Sequence, residues 1–398
     1  MKNSSLIKNI KTLYHSCQVE LIHFFSDSAS YVTFLVLGII VSFLYSTVYN
    51  REIVEKTPIA IVDMDNGVQS RNLIRMLDAT QQVRVLTVSN NIGTAKKSFE
   101  KGEIYGILYI PNDFEKNITL GSLAPLSLYS DASNMLHNKY ISTAISTVTG
   151  TFNAQLEINK SMHKGLNVKN SSITRRPMNA ITKNLYNPYG GYATFLLPAV
   201  YLIIIQTLLL SAIGVLGGTF REQEKYFSLY NIIDDRSNRI IPVLLGRALA
   251  YLLLCIILFT IIGGCFVVFK LPFRTSIIEA ILFLIPCFLS VIFLGFALMG
   301  IFKKREDAAL SVTFTSIPAV FLTGISWPAE AFPHWVNILS YFFPTTVGVR
   351  GFLALSQYEA CLSDIKDLWG MMWLTAIFYF LIAVLVNYKM KLKYILSK

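Results

Sequence analysis

The densest set of groups that could do chemistry in this sequence lies between Phe220 and Arg247. Arg221, Glu222, Gln223, Glu224 and Lys225 come first, then Asp234, Asp235 and Arg236, and then Gly246 and Arg247. Upstream, nothing from Asn184 to Phe220 is charged. Charges of both signs cannot stay in hydrocarbon, so this stretch lies in water or among headgroups. Taken alone it reads as a loop joining two helices.

Other candidate groups are sparser. Asp63 and Asp65 resemble the start of a metal site, but no third acid or histidine lies nearby in sequence, and capping of the turn Asp63–Gly67 is the expectation. Gln206, Thr207 and Ser211 make a mildly polar stripe on an otherwise apolar segment. Helix–helix hydrogen bonding and the lining of a substrate path are both open for them. No ionisable residue falls in the middle of an apolar segment, which disfavours a proton- or sodium-coupled carrier. The chain has no Gly-x-x-x-x-Gly-Lys-Ser/Thr phosphate loop, so it is not expected to be an enzyme, and any nucleotide hydrolysis must come from another polypeptide.

The elements that must position these residues follow from composition. The sequence is 53% hydrophobic and 15% charged, a balance foreign to soluble proteins. Charge-free stretches of about 20 residues, enough to cross a bilayer, are Ser28–Asn50, Ala248–Phe269, Ala280–Phe302, Ala308–Ala329 and Leu368–Tyr388. With Tyr192–Thr219 they give six expected transmembrane helices and an α-helical polytopic membrane protein.

The net charge of +11 is a topology signal and does not point to nucleic acid. With the N-terminus inside, the short cytosolic segments carry Lys2, Lys8, Lys11, Arg221, Lys225, Arg236, Arg239, Arg247, Lys303, Lys304, Arg305, Lys389, Lys391, Lys393 and Lys398. The short outer segments carry only Lys270, Arg274, Arg350 and Lys366. That asymmetry places both termini in the cytosol. Cys255, Cys265 and Cys287 fall within spans, while Cys17 and Cys361 stand apart, so no disulfide framework is implied.

Residues 1–27 read as a basic cytosolic lead-in, with Leu6, Ile10, Leu13, Cys17 and Leu21 forming one helical stripe toward the membrane surface. Residues 28–50 are the first span. Residues 51–183, between the first and second spans, read as an extracytoplasmic α/β domain. Strands are expected at Ile59–Val62, Val83–Val88, Ile104–Ile110 and Leu126–Tyr129, with a long amphipathic helix over Asn134–Lys160. Residues 184–398 hold the other five spans, with the loop 220–247 and an outer hairpin, 326–350. Prolines at 333 and 344 forbid a straight span there, and Trp327 and Trp335 suit interfacial depth.

These residues together resemble the ABC-2 type transporter permeases that carry a large extracytoplasmic domain after the first helix. Ile61-Val62-Asp63 through Ser70 is similar to that subgroup's opening strand and turn, and Gly102-Glu103 through Phe114 to its later strand. Arg221-Glu222-Gln223-Glu224 and Gly246-Arg247 fall where the family has an acidic coupling loop and a Gly-Lys. Gly324, Trp327, Pro328, Pro333, Trp335, Pro344 and Arg350-Gly351 match the outer hairpin. Tyr226-Phe227 departs from the family's frequent Gly-Thr. The resemblance implies the permease subunit of an exporter in the bacterial inner membrane. Arg221, Glu222, Gln223, Glu224 and Arg247 would meet a cytosolic ABC ATPase that holds the ATP and magnesium, this chain binding no cofactor. It further implies a second permease subunit, identical or not, and admits a periplasmic membrane-fusion adaptor. A membrane-anchored receptor with an outer sensor domain is the alternative reading.

Overall fold

The computed structural model describes residues 2–50, 54–162, 185–187, 190–223, 240–300, 302 and 304–397. Glu224, Lys225, Asp234, Asp235 and Arg236 therefore lie outside the described residues. The chain divides into two compact units, one of Met1–Asn50 with Leu185–Lys398 and one of Arg51–Asn184.

The larger unit is helical. Helix α1 (Lys2–Ser26) precedes α2 (Ser28–Val48), which holds a π-helical turn at Val32–Val36. In the smaller unit, β1 (Thr57–Asp63), β2 (Val83–Ser89), β3 (Gly106–Ile110) and β4 (Ser127–Ser130) form one sheet. The strand order is β2-β1-β3-β4, with β1 parallel to both neighbours and β4 antiparallel to β3. Helices α3 (Val68–Asp78), α4 (Ile92–Glu100) and α5 (Phe114–Leu120) supply the connections, and α6 (Met135–Met162) follows β4. All of β1 except Pro58 is buried, as a strand covered on both faces must be. On one face Ile59, Ile61 and Leu108 pack with Leu73 of α3 and Ile141 and Val148 of α6. On the other, Ala60, Val62 and Ile107 pack with Ala95 of α4.

The strands and the long helix lie within a residue or two of their expected positions. Asp63 does cap the turn. Its Oδ1 accepts from the backbone N–H groups of Asp65 and Asn66, both at 3.1 Å, and its Oδ2 accepts from the Ser70 hydroxyl at 2.7 Å.

Returning to the helical unit, α7 (Tyr192–Glu222), α8 (Ile240–Val268) and α9 (Ile277–Leu298) are followed by α10 (Arg305–Leu322). Then come α11 (His334–Ser340), α12 (Pro344–Tyr358) and α13 (Lys366–Ser397). Helix α7 is the hub: 78% of its most apolar window is buried, against 22% for α2 and for the corresponding window of α13.

Among the described residues, α2, α7, α8, α9 and Lys366–Leu392 of α13 are long and apolar enough to cross a membrane. The expected span Ala308–Ala329 corresponds to α10, which ends at Leu322 and is not one of these five, because Arg305, Glu306 and Asp307 fill its first turn. A sixth candidate is the pair α11 and α12, bent by 86°. Both prolines start helices here: Pro333 stands just before α11 and Pro344 opens α12, where a missing N–H costs nothing.

Candidate coupling and translocation sites

The end of α7 is tied to its own chain. Arg221 Nη1 donates to the Phe302 carbonyl at 2.6 Å and Nη2 to the Gly300 carbonyl at 2.9 Å. Those carbonyls follow the end of α9, where a cation is favoured by the unpaired C=O groups. One residue on, Glu222 Oε1 accepts from the backbone N–H of Arg305 at 3.0 Å, at the start of α10. Arg221 and Glu222 thus grip both ends of the turn between α9 and α10.

Close approach makes this possible. A Cβ at Gly218 would stand 2.5 Å from the Arg305 backbone, and one at Gly214 would stand 2.7 Å from Ala308 Cβ. Gly214 and Gly218 therefore serve close helix approach. Gln223 is exposed just beyond the helix, and Glu224 lies outside the described residues.

Arg247 is placed elsewhere. It lies on α8 with its side chain 2% exposed, donating from Nε to Glu20 Oε2 at 2.8 Å and from Nη2 to Glu20 Oε1 at 3.0 Å. Its guanidinium also lies 4.7 Å from the Phe296 ring centroid. Such a bidentate pair holds two planar groups in register. The helix bearing Glu20 approaches closely because Gly246 has no side chain: a Cβ there would fall 2.3 Å from the Leu13 carbonyl oxygen.

The buried face of α1 is consequently Thr12, Ser16, Cys17, Glu20 and Phe24. Ile10, on the stripe expected to face the membrane surface, is 58% exposed, while Glu20 is 1% exposed. Sequence reading missed Glu20 because hydrophobic periodicity gives a carboxylate no weight on a buried face. The one signal available was that Glu20 is the only acid before Asp27. Nearby, burial lowers the His23 pKa, opposed by the Glu20 carboxylate and reinforced by Arg247. Burial raises that of the Cys17 thiol, with Glu20 adding to the rise.

The polar stripe of α7 splits. Gln206 is 5% exposed and its Oε1 accepts from the Thr345 N–H at 3.1 Å, in the first turn of α12. It satisfies a donor that a buried helix start would otherwise leave unpaired. Thr207 and Ser211 are half-buried and share a face with Val200 and Ile204.

In the hairpin, Gly324 adopts φ +90°, a conformation that suits glycine. A Cβ there would lie 4.0 Å from Arg350 Nε, and the Arg350 guanidinium lies 5.8 Å from the Tyr341 ring centroid. Pro328 caps a short 3₁₀ turn, Ala329–Ala331. Trp327 and Trp335 are 61% and 69% exposed, as residues meeting an interface would be. The structure therefore brings Gly324 and Arg350 together, while the tryptophans point outward.

Two curated proteins named "Probable multidrug ABC transporter permease YbhR", from Escherichia coli strain K12 and Escherichia coli O157:H7, are each 20% identical to this chain over 325 residues. The matched region covers 80% of this chain and 82% of either relative. A family model described as "ABC-2 family transporter protein" matches residues 29–385, from the first turn of α2 into α13. With nearly the whole chain inside that match, this protein belongs to the ABC-2 family of transporter proteins, as a multi-pass membrane subunit.

Proposed function

We propose that this chain is the membrane half of an exporter in the inner membrane, moving cargo outward with ATP hydrolysed on a separate cytosolic subunit. Two permease chains would enclose the path, both termini would lie in the cytosol and the α/β unit outside. A periplasmic adaptor would receive the cargo. The relatives' name, a probable multidrug permease, supports drugs as that cargo.

One observation carries the reading. The end of α7 is anchored by Arg221 and Glu222 to the turn between α9 and α10. An ATPase pressing on Gln223, Glu224 and the residues beyond would move the end of the central helix and the start of α10 together. Thr207 and Ser211 on the half-exposed face of α7 are the residues proposed for the path, with Gln206 behind them holding α12. Arg247 acts in this reading through α1 and Glu20 and makes no direct contact with the ATPase.

The test separates docking from internal support. Glu222→Gln keeps an acceptor for the Arg305 N–H while removing charge, and Glu224→Gln removes the second charge. Truncating one partner of an interfacial charge pair costs about 2–5 kcal/mol, whereas exposed pairs contribute about 0–1 kcal/mol. Vanadate-sensitive ATP hydrolysis co-purifying with the tagged chain should fall at least about tenfold in the double variant. Unchanged ATP hydrolysis would leave this loop a plain connection.

A further inference from the structure

Helix α1 is held at two points of unequal strength. The buried two-point pair of Glu20 and Arg247 fixes it to α8. Just past its last residue, Asp27 Oδ1 lies 3.7 Å from Arg305 Nη2, with the side chains 17% and 40% exposed. Asp27 is the break between α1 and α2. Its φ of −93° and ψ of 101° are extended, and its Oδ2 accepts from the Ser30 hydroxyl in the first turn of α2. A partly solvated pair of this kind adds little to stability and parts easily.

The same arginine is gripped from a second side. Its backbone N–H donates to Glu222 Oε1 at 3.0 Å, and Gly218 lets α7 lie against its main chain. Arg305 thus stands between the end of α7 and the α1–α2 junction, and it uses a different group for each. The main chain meets Glu222 and the guanidinium meets Asp27.

Helix α2 has a joint close by. Its π-helical turn, Val32–Val36, separates Ser30 from Ser46, whose hydroxyl shares a hydrogen bond of 2.6 Å with the Tyr201 hydroxyl. The far part of α2 is therefore tied to the body of α7, while its first turn is tied to Asp27 and through it to Arg305. A π turn interrupts the regular helical ladder and gives a helix a place to bend.

We propose that Arg305 is a positioning residue for coupling, which passes movement of the end of α7 to the first turn of α2, with the bend taken up at Val32–Val36. This rests on the transport reading, in which an ATPase moves the end of α7. When the end of α7 and the start of α10 shift together, the guanidinium draws Asp27 after it. The weakness of the pair suits a contact remade in each cycle, whereas the buried pair of Glu20 and Arg247 keeps the rest of α1 in place. Because Glu222 holds only the main chain, changing the Arg305 side chain cuts the link to α2 and leaves the link to α7 intact.

The test follows hydrogen exchange in the full chain co-purified with its ATPase, with and without ATP plus vanadate. In the parent, nucleotide should change exchange about threefold or more in both 216–223 and 28–36. Arg305→Gln should abolish the change at 28–36 and keep that at 216–223, with the thermal midpoint unaltered, and Arg305→Lys should restore both. Asp27→Asn, which keeps an acceptor for the Ser30 hydroxyl, should match Arg305→Gln, and the double variant should lose no more than either alone. A nucleotide-dependent change at 28–36 that persists in Arg305→Gln overturns the proposal and leaves the transport reading standing. So does a lowered midpoint with exchange at 28–36 altered equally with and without nucleotide, since the pair would then be structural. No change at 216–223 in the parent overturns the transport reading, and this proposal with it.

Discussion

Glu20 and Arg247, 227 residues apart in sequence, form a two-point ion pair with both side chains 2% exposed. The pair fastens α1 to α8. Two consequences can be measured. Glu20→Ala strands a buried guanidinium and should cost about 3–5 kcal/mol, whereas replacing both groups by apolar residues of similar size, Glu20→Leu with Arg247→Met, should recover most of the loss. Thermal unfolding in detergent would show this, and a single variant within about 1 kcal/mol of the parent would mean that the pair is solvated.

Gly246 should be as sensitive as the pair it admits. A Cβ there would collide with the Leu13 carbonyl oxygen, a backbone atom that cannot rotate away. Gly246→Val should push α1 off α8 and cost about 1–3 kcal/mol. Protease sensitivity of residues 2–26 in the purified full chain should rise in step. A helix α1 that stays protected would show the contact to be tolerant.

Gln206→Leu preserves bulk but removes the acceptor for the Thr345 N–H. A buried donor left unsatisfied costs about 1–3 kcal/mol, so α12 should loosen at its first turn. Faster hydrogen exchange confined to residues 344–348 is the expected signature. If Gln206 instead served the path alone, transport would change with exchange unaltered.

His137 in α6 stacks on Tyr105 at 3.9 Å between centroids, and its Nδ1 lies 3.3 Å from the Thr57 hydroxyl. Burial lowers its pKa, opposed by Asp131. A lowered histidine pKa means that the unfolded chain binds the proton more readily. Stability of the α/β unit should therefore fall as pH drops below about 6.5, the unperturbed value, and level off below the folded pKa. Asp131, whose own pKa is lowered chiefly by the Ser133 hydroxyl, adds a loss only at still lower pH. The hydrogen-exchange protection factors of β1 and β3 in the full chain, with the intrinsic slowing of exchange toward acid divided out, should fall between pH 7.5 and 5.5, and His137→Gln should flatten that change.

Orientation is testable independently of mechanism. The proposed topology puts Asn90 and Asn117 outside and the C-terminus inside. In sealed cells, a membrane-impermeant maleimide should modify single cysteines at 90 or 117 and spare one at 398. Modification at 398 would overturn the arrangement.

Much of this fold is readable from the sequence because its signals are local. A charge-free run of about 20 residues marks a helix that can cross a bilayer wherever it sits, which is why α2, α7, α8, α9 and α13 lie where composition puts them. Alternation and turn residues did the same for β1 to β4, and the prolines at 333 and 344 foretold the break that became an 86° bend. The family resemblance rested on motifs of the same local kind. Tertiary structure alone decided which residues meet. Glu20 turned inward because a guanidinium from α8 awaited it and Gln206 because α12 begins beside it, while Glu222, still exposed, reaches the start of α10 because Gly218 lets that helix come close. Each contact joins groups tens to hundreds of residues apart, and a polar side chain goes inside only when a partner compensates its desolvation. That compensation is a property of two distant positions at once, which no periodicity along one segment can carry.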